Sequence, residues 1–347
     1  MHQLSNNIPF SKALEKKERI FSELNNYLRD LERYKENLIN TVHKCLQITK
    51  INNKTNPNNN LNLIAIDSAR GIQRYIIGNF YAFVSVAYND NYYSDNISDF
   101  DLISYVEEEV EFADRILEGL SMGSEIIFAT LKLKQEKCDF IFMDGSVSTF
   151  ILKINSAITA TKNANGPLAQ KMKKNYKRFL EDFIYLLESK KVFFIPKASQ
   201  KDDLKQNLIT NIDNEEIKDT IKKISDIKIA QHILKPLEYI IIEHPQRHPY
   251  NLYNPYNKDT NETEFQNFEN LKNKLFELAN NFKAYYFKGI GGYTYRIESF
   301  ANTFPETIIA QNTFTKNFYI TQQADRKAKD YVTVLLHESF PLEEQIR

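Results

Sequence analysis

The chain has 347 residues, 42% hydrophobic and 26% charged, which is ample for a sizeable core and is ordinary for a soluble globular protein. Its formal net charge is zero, which excludes a globally basic nucleic-acid binder and a protein held to membranes by charge, but not a local basic groove. The two cysteines, Cys45 and Cys138, fit no zinc or redox spacing and read as small core hydrophobes in a reducing compartment. No signal-peptide pattern opens the sequence. The longest apolar stretch, Tyr75 to Tyr88, is broken by Gly78, Asn79 and Ser85. The expected location is the cytoplasm, with no membrane contact.

In chain order, residues 11–48 read as one long helix. Phe21, Leu24, Leu28, Leu31, Leu38, Val42 and Cys45 fall on a heptad seam, with Lys35 as its polar break. Such a seam covers its own domain or meets a second copy or partner. Residues 52–60, rich in Asn, read as a linker, so residues 1–60 are expected to form an N-terminal unit. Strands follow at 62–67, 73–78 and 80–88, the last two as antiparallel neighbours. Residues 101–136 carry helical spacing, and strand 139–144 is expected to lie parallel to 62–67. Helices 147–162 and 168–190, strand 192–195, helices 214–223 and 225–235, and strand 239–242 come next. A proline-punctuated loop over 244–256 leads to helix 263–282 and a strand pair at 284–287 and 293–297. A helix at 316–331 and a strand at 332–336 close the series. This is an α/β chain on a mixed sheet with helical insertions.

Two segments carry the chemistry. Ile64-Ala65-Ile66 ends in Asp67-Ser68, and Phe140-Ile141-Phe142-Met143 ends in Asp144-Gly145. Unbroken apolar runs are strands buried on both faces, and a carboxylate at the end of each sits on a sheet rim. Each aspartate alone reads as a turn or helix cap. As a pair at equivalent strand ends they read as ligands of a divalent metal. A third acid is then expected. Glu125 stands among Met122, Ile126, Ile127 and Phe128, where a buried carboxyl needs a partner. Glu107, Glu108, Glu109 and Glu111 read as a solvated charge run. Asp325 reads first as the partner of Lys329 on one helix. His244 and His248 sit in the proline-rich loop, without helical ligand geometry. No phosphate-binding GxxxxGK[ST] loop, dinucleotide fingerprint or GxSxG motif is present. Lys171, Lys173, Lys174, Lys177 and Arg178 crowd one helix with Tyr176, Phe179 and Tyr185 between them. That helix is either a solvated face or a wall that tracks phosphates.

Over residues 61–338 these segments together resemble the NurA nuclease family. Ile64-Ala65-Ile66-Asp67-Ser68 resembles its opening metal strand and Ile141-Phe142-Met143-Asp144-Gly145-Ser146 its second. Phe194-Ile195-Pro196-Lys197-Ala198-Ser199 resembles the later strand-lysine-serine segment. Ser225-Asp226-Ile227 followed by Leu234-Lys235-Pro236 resembles the short helical segment. Tyr286-Phe287 with Tyr295-Arg296-Ile297-Glu298 resembles the Tyr-Arg-x-Glu strand. Phe318-Tyr319 through Ala324-Asp325-Arg326 resembles the C-terminal helix that completes the site. The family's first motif is usually Asp-Gly-Ser, and here it reads Asp67-Ser68-Ala69, which changes the expected turn behind the ligand.

The resemblance implies an RNase H-like fold in residues 61–347 and manganese-dependent cleavage of DNA, with magnesium as an alternative ion. It implies a single-strand 5′–3′ exonuclease, an endonuclease or both, using two metal ions. Asp67, Glu125, Asp144 and Asp325 would hold the ions. Lys197, Tyr295 and Arg296 would contact phosphate, beside Lys171, Lys174, Lys177 and Arg178. A homodimer and a HerA-type hexameric translocase are the implied partners. Two other classes remain open: a non-catalytic DNA-binding adaptor of a translocase, and an RNase H-like nuclease acting on RNA.

Overall fold

The protein is described by a computed structural model over residues 10–51, 62–75, 78–89, 96–97, 112–135, 138–196, 202–243, 245, 251–289, 291–300 and 313–338. Among these residues the strands form one mixed sheet of nine. The strands are β1 (Ile48–Lys50), β2 (Leu63–Tyr75), β3 (Gly78–Tyr88), β4 (Asn96–Ile97), β5 (Phe140–Asp144), β6 (Val192–Ile195), β7 (Glu238–Ile242), β8 (Lys283–Lys288) and β9 (Thr294–Ser299). Their order is β1-β7-β8-β9-β6-β5-β2-β3-β4. β2, β5 and β6 are parallel neighbours, as expected for 62–67 and 139–144, and the other pairs are antiparallel.

The helices are α1 (Phe10–Arg33), α2 (Lys35–Cys45), α3 (Ala113–Gln135), α4 (Val147–Ala160), α5 (Pro167–Ser189), α6 (Asp203–Ile209), α7 (Glu215–Lys222), α8 (Asp226–Ile233), α9 (Glu262–Ala279) and α10 (Thr313–Glu338). None of them is long and apolar enough to cross a membrane.

Alternation along β2 sorts the molecule into two sides. Ile64 and Ile66 join a core with α3, α4, α5 and α9, through Ile126, Phe150, Phe183 and Phe268. Leu63, Ala65 and Ala69 face the other way, toward Ala324, Ala328 and Val332 of α10. At the far end of the sheet, Ile240, Ile242, Ala284 and Tyr286 pack on α2, α6, α7 and α8. Gly119 lets α3 lie hard against α4, because a Cβ there would come within 2.1 Å of the Ala157 methyl. This contact holds the helix that carries Glu125 close to the sheet.

Four sequence expectations need correction. The single helix over 11–48 is two helices broken at Tyr34, and the chain is already extended at Leu46. The β-branched Ile48 and Thr49 then form β1 against β7. Leu38 and Val42 are buried cover, whereas Phe21 and Leu24 are about half exposed. The first metal strand does not stop at Asp67: it runs to Tyr75 paired with β3, so no turn follows the aspartate and Ser68 simply continues the strand. The expected last strand, 332–336, is part of α10. Val332 and Leu336 extend the Ala324 and Ala328 stripe at helical spacing, and packing on the sheet overrides β propensity. Finally, α6 was missed, although Leu204 and Leu208 after two aspartates are a helical signal. Glu107, Glu108, Glu109 and Glu111 lie outside the described residues, as do His244 and His248.

Between α4 and α6, β9 contributes a buried polar network instead of apolar contacts. Arg296 donates to Glu298 on its own strand and to Asp203 Oδ2 at 2.6 Å, and all three side chains are without solvent exposure. Beside it, Asp226 accepts the N–H groups of Leu204 (2.8 Å) and Lys205 (3.0 Å) and the Tyr286 hydroxyl (2.7 Å). Asp226 therefore caps α6 and not the helix it begins.

Burial pushes the Asp226 carboxyl up to about 6, against the pull of those hydrogen bonds. Its folded pKa lies above the unfolded value, so its contribution to stability is full below about pH 4, falls toward about pH 6 and is flat above. Urea unfolding of wild type and Asp226→Asn at pH 4 and pH 7 checks this. The stability difference between the two is expected to shrink on the order of 2–3 kcal/mol across that interval. A difference independent of pH would contradict it.

Candidate metal centre

The parallel ladder between β2 and β5 ends at Ile66↔Met143. Asp67 and Asp144 are the next residue on each strand, and both face the α10 side of the sheet with Ala65 and Phe142. β5 stops there because Gly145 turns the chain at φ +126, a conformation a side chain rarely adopts. The Gly145 N–H donates to Ile195 O at 3.2 Å, and Ser146 caps α4 by accepting the Thr149 N–H.

Asp325 arrives from α10. The small, buried Ala324 and Ala328 bring that helix onto the sheet. One carboxylate oxygen each from Asp67, Asp144 and Asp325 lies within 4.8 Å of the other two. Asp325 also takes its expected i,i+4 ion pair with Lys329, at 2.8 Å. At this spacing two ionised carboxylates repel by about 3 kcal/mol at an effective dielectric of about 20. A cluster of hard oxygen donors from three elements fits an oxygen-liganded divalent cation such as Mn²⁺ or Mg²⁺.

Glu125 stands behind this cluster, not in it. It comes from α3 on the opposite side of β2. It accepts a short hydrogen bond from the Ser68 hydroxyl, which is itself 2.6 Å from the Ser121 hydroxyl. Burial first, then the charge of Asp67, pushes its carboxyl well above the usual range, while the Ser68 hydrogen bond acts the other way. Its Oε2 has no hydrogen-bond partner among the described residues. Ser68 and Ser121 were not foreseen as part of the site. The signal was there in Ser121-Met122-Gly123-Ser124-Glu125, whose small residues let α3 approach the strand.

The phosphate-binding candidates divide. Arg296 is a correction: it is fully buried between Glu298 and Asp203, which outweigh the cost of burying its charge and keep it protonated, so it presents nothing to a solvent-side phosphate. Tyr295, its neighbour on β9, is half-buried and turned to the side of α10. Lys197 lies outside the described residues. Lys171, Lys174, Lys177 and Arg178 lie on α5, which packs on the side of the sheet opposite α10. Lys171 sits 5.6 Å from the Phe83 ring centroid, Lys177 pairs with Glu264 at 3.3 Å and Arg178 with Asp182 at 3.5 Å, while Lys174 is exposed. The structure does not bring this helix together with the three aspartates.

The NurA domain model matches residues 61–330. The chain belongs to the NurA family. Its fold is similar to the crystal structure of the NurA nuclease from Sulfolobus solfataricus, at 14% identity over 97% of this chain and 99% of that one, with a TM-score of 0.54. It is similar too to a crystal structure of NurA with manganese, at 14% identity over 90% of this chain and 93% of that one, with a TM-score of 0.50. No curated protein matches the sequence. At these identities the likeness is one of fold, and within the NurA fold Asp67, Asp144 and Asp325 occupy one site on three separate elements.

If the three aspartates hold a cation, Mn²⁺ at a hundredfold excess over its dissociation constant raises folding stability by about 2.7 kcal/mol. Asp144→Asn is expected to lose most of that gain. Urea unfolding with and without Mn²⁺ measures it, and a wild-type curve indifferent to Mn²⁺ would remove the cation from this account.

Proposed function

We propose that this protein is a Mn²⁺-dependent deoxyribonuclease, with Mg²⁺ as an alternative ion. The observation that carries the reading is the convergence of Asp67, Asp144 and Asp325 within 4.8 Å from β2, β5 and α10. Membership of the NurA family supports it, and so does the manganese in a structure of similar fold. The order β4-β3-β2-β5-β6, with β3 antiparallel to its neighbours, supports the RNase H-like description of this half of the sheet.

The reading assigns two ions to the centre; Glu125 lies outside the 4.8 Å cluster but close enough to feel the charge of Asp67 and Asp144, and would complete the shell from behind β2. A bound divalent ion supplies a Lewis acid that polarises the phosphodiester and acidifies water. The chain's own part is to hold the carboxylates in place before substrate arrives. Asp67 is fixed by the β2 ladder and by the Ser68 N–H on its Oδ1 at 2.8 Å, and Asp144 by the turn at Gly145. Hydrolysis adds water across the bond: the hydroxyl goes to phosphorus, the bridging P–O bond breaks, and the proton goes to the leaving sugar oxygen.

The reading extends to a cytoplasmic homodimer working with a HerA-type hexameric translocase on DNA ends. Its support is the outer face of α1, where Leu14, Ile20, Phe21 and Leu24 are 44–55% exposed. Residues 1–60 would serve as that contact unit.

The test is cleavage of end-labelled single- and double-stranded DNA and RNA, with and without Mn²⁺. Wild type is expected to cut DNA only with the metal. Asp67→Asn and Asp144→Asn each lower the rate by orders of magnitude while leaving the circular dichroism spectrum unchanged. Wild-type rates in either purified variant would sink the assignment, and a preference for RNA would redirect it.

A further inference from the structure

Glu298 lies in the protein interior, yet one of its oxygens leaves the ion network and reaches the metal edge. Its Oε2 accepts the backbone N–H of Val147 at 2.9 Å, while its other oxygen is bound by Arg296. Val147 is the first residue of α4 and stands three positions after Asp144. Between them lies only Gly145-Ser146, the turn that ends β5. The contact is buried on both sides, and Arg296 is in turn held by Asp203 of α6.

A neutral acceptor would satisfy the Val147 N–H. A carboxylate does more, because the first turn of a helix carries partial positive charge from its unpaired N–H groups. That charge-assisted bond ties the start of α4 to β9, the strand that pairs with β6 on the far side of β5. The Asp144 turn is then clamped at each end. Gly145 is hydrogen-bonded to Ile195 of β6, and Val147 to Glu298 of β9. Arg296 holds the other Glu298 oxygen and so fixes its rotamer.

We propose that Glu298 is a positioning residue for the metal centre: through the Val147 N–H it sets where Asp144 presents its carboxylate, and Arg296 holds Glu298 to that task. This rests on the reading of Asp67, Asp144 and Asp325 as metal ligands. Groups that orient a ligand in this way typically contribute about 10–100-fold to metal affinity.

Val147→Pro, read against a variant that trims the same side chain, isolates the contact. Proline is well tolerated at the first position of a helix; here it removes the N–H and also replaces the buried Val147 side chain. Ser146 before it has φ −115 and ψ 156, the extended conformation that proline demands of its predecessor. Glu298→Ala removes the acceptor. Val147→Ala trims the same buried side chain but keeps the N–H, and controls for lost packing alone.

Mn²⁺ binding is read by electron paramagnetic resonance of the free ion, at a temperature where thermal melts show each variant folded. Val147→Pro and Glu298→Ala are expected to weaken Mn²⁺ by about tenfold or more, and Val147→Ala by less than about twofold. If Glu298→Ala does not fold, Val147→Pro alone decides. Wild-type affinity in Val147→Pro, or an equal loss in Val147→Ala, overturns the positioning role while leaving the metal centre intact. A wild-type protein that binds no Mn²⁺ overturns both.

Discussion

Leu63↔Phe140 through Ile66↔Met143 hold β2 beside β5, and the position of the site depends on that register. Side chains on a strand alternate, so Asp67 and Asp144 share a side only while these pairs hold. A slip of one residue would send one carboxylate into the core among Ile126 and Phe150. The apolar residues on both strands enforce the register, because Ile64, Ile66, Ile141 and Met143 are buried on one side of the sheet and Leu63, Ala65 and Phe142 on the other. The third carboxylate depends on the same strand. α10 reaches it only because Ala65 and Ala69 on β2, and Ala324 and Ala328 on the helix, leave room for close approach.

The protein treats charge in opposite ways on the two sides of its sheet. Inside, Arg296 is matched by Glu298 and Asp203, a network satisfied by its own members at each carboxylate that faces it. At the α10 edge, three carboxylates crowd together, with Lys329 on Asp325 as the cation whose ion pair is seen there. The first arrangement stabilises a junction between helical layers. The second brings three carboxylates within 4.8 Å of one another and is suited to a cation from solution. Glu298 links the two, since its second oxygen reaches the turn that carries Asp144.

Much of this was legible in the sequence where local chemistry coincides with the fold. Unbroken apolar runs before Asp67 and Asp144 announced buried strands, and the parallel pairing followed, although β2 continues past its aspartate. Other parts were not. Asp325 satisfies its local partner Lys329 and the distant cluster at once, so its charge pattern pointed only to the helix. Tyr295-Arg296-Ile297-Glu298 alternates, but alternation does not say which side is water. The decisive partner of Arg296, Asp203, is 93 residues away. The basic run on α5 looked like a binding wall because pairing by Glu264 on α9, and the side of the sheet a helix covers, are properties of the folded chain. Val332 to Leu336 misled for the same reason: strand-like residues became the continuation of a helical stripe.

The most direct test of the central claim is to locate the metal. Crystals soaked in Mn²⁺ and measured at the manganese absorption edge report its position without reference to activity. The account predicts an anomalous peak bounded by the carboxylates of Asp67, Asp144 and Asp325. An edge with no peak there, or a peak held by other residues, would contradict it.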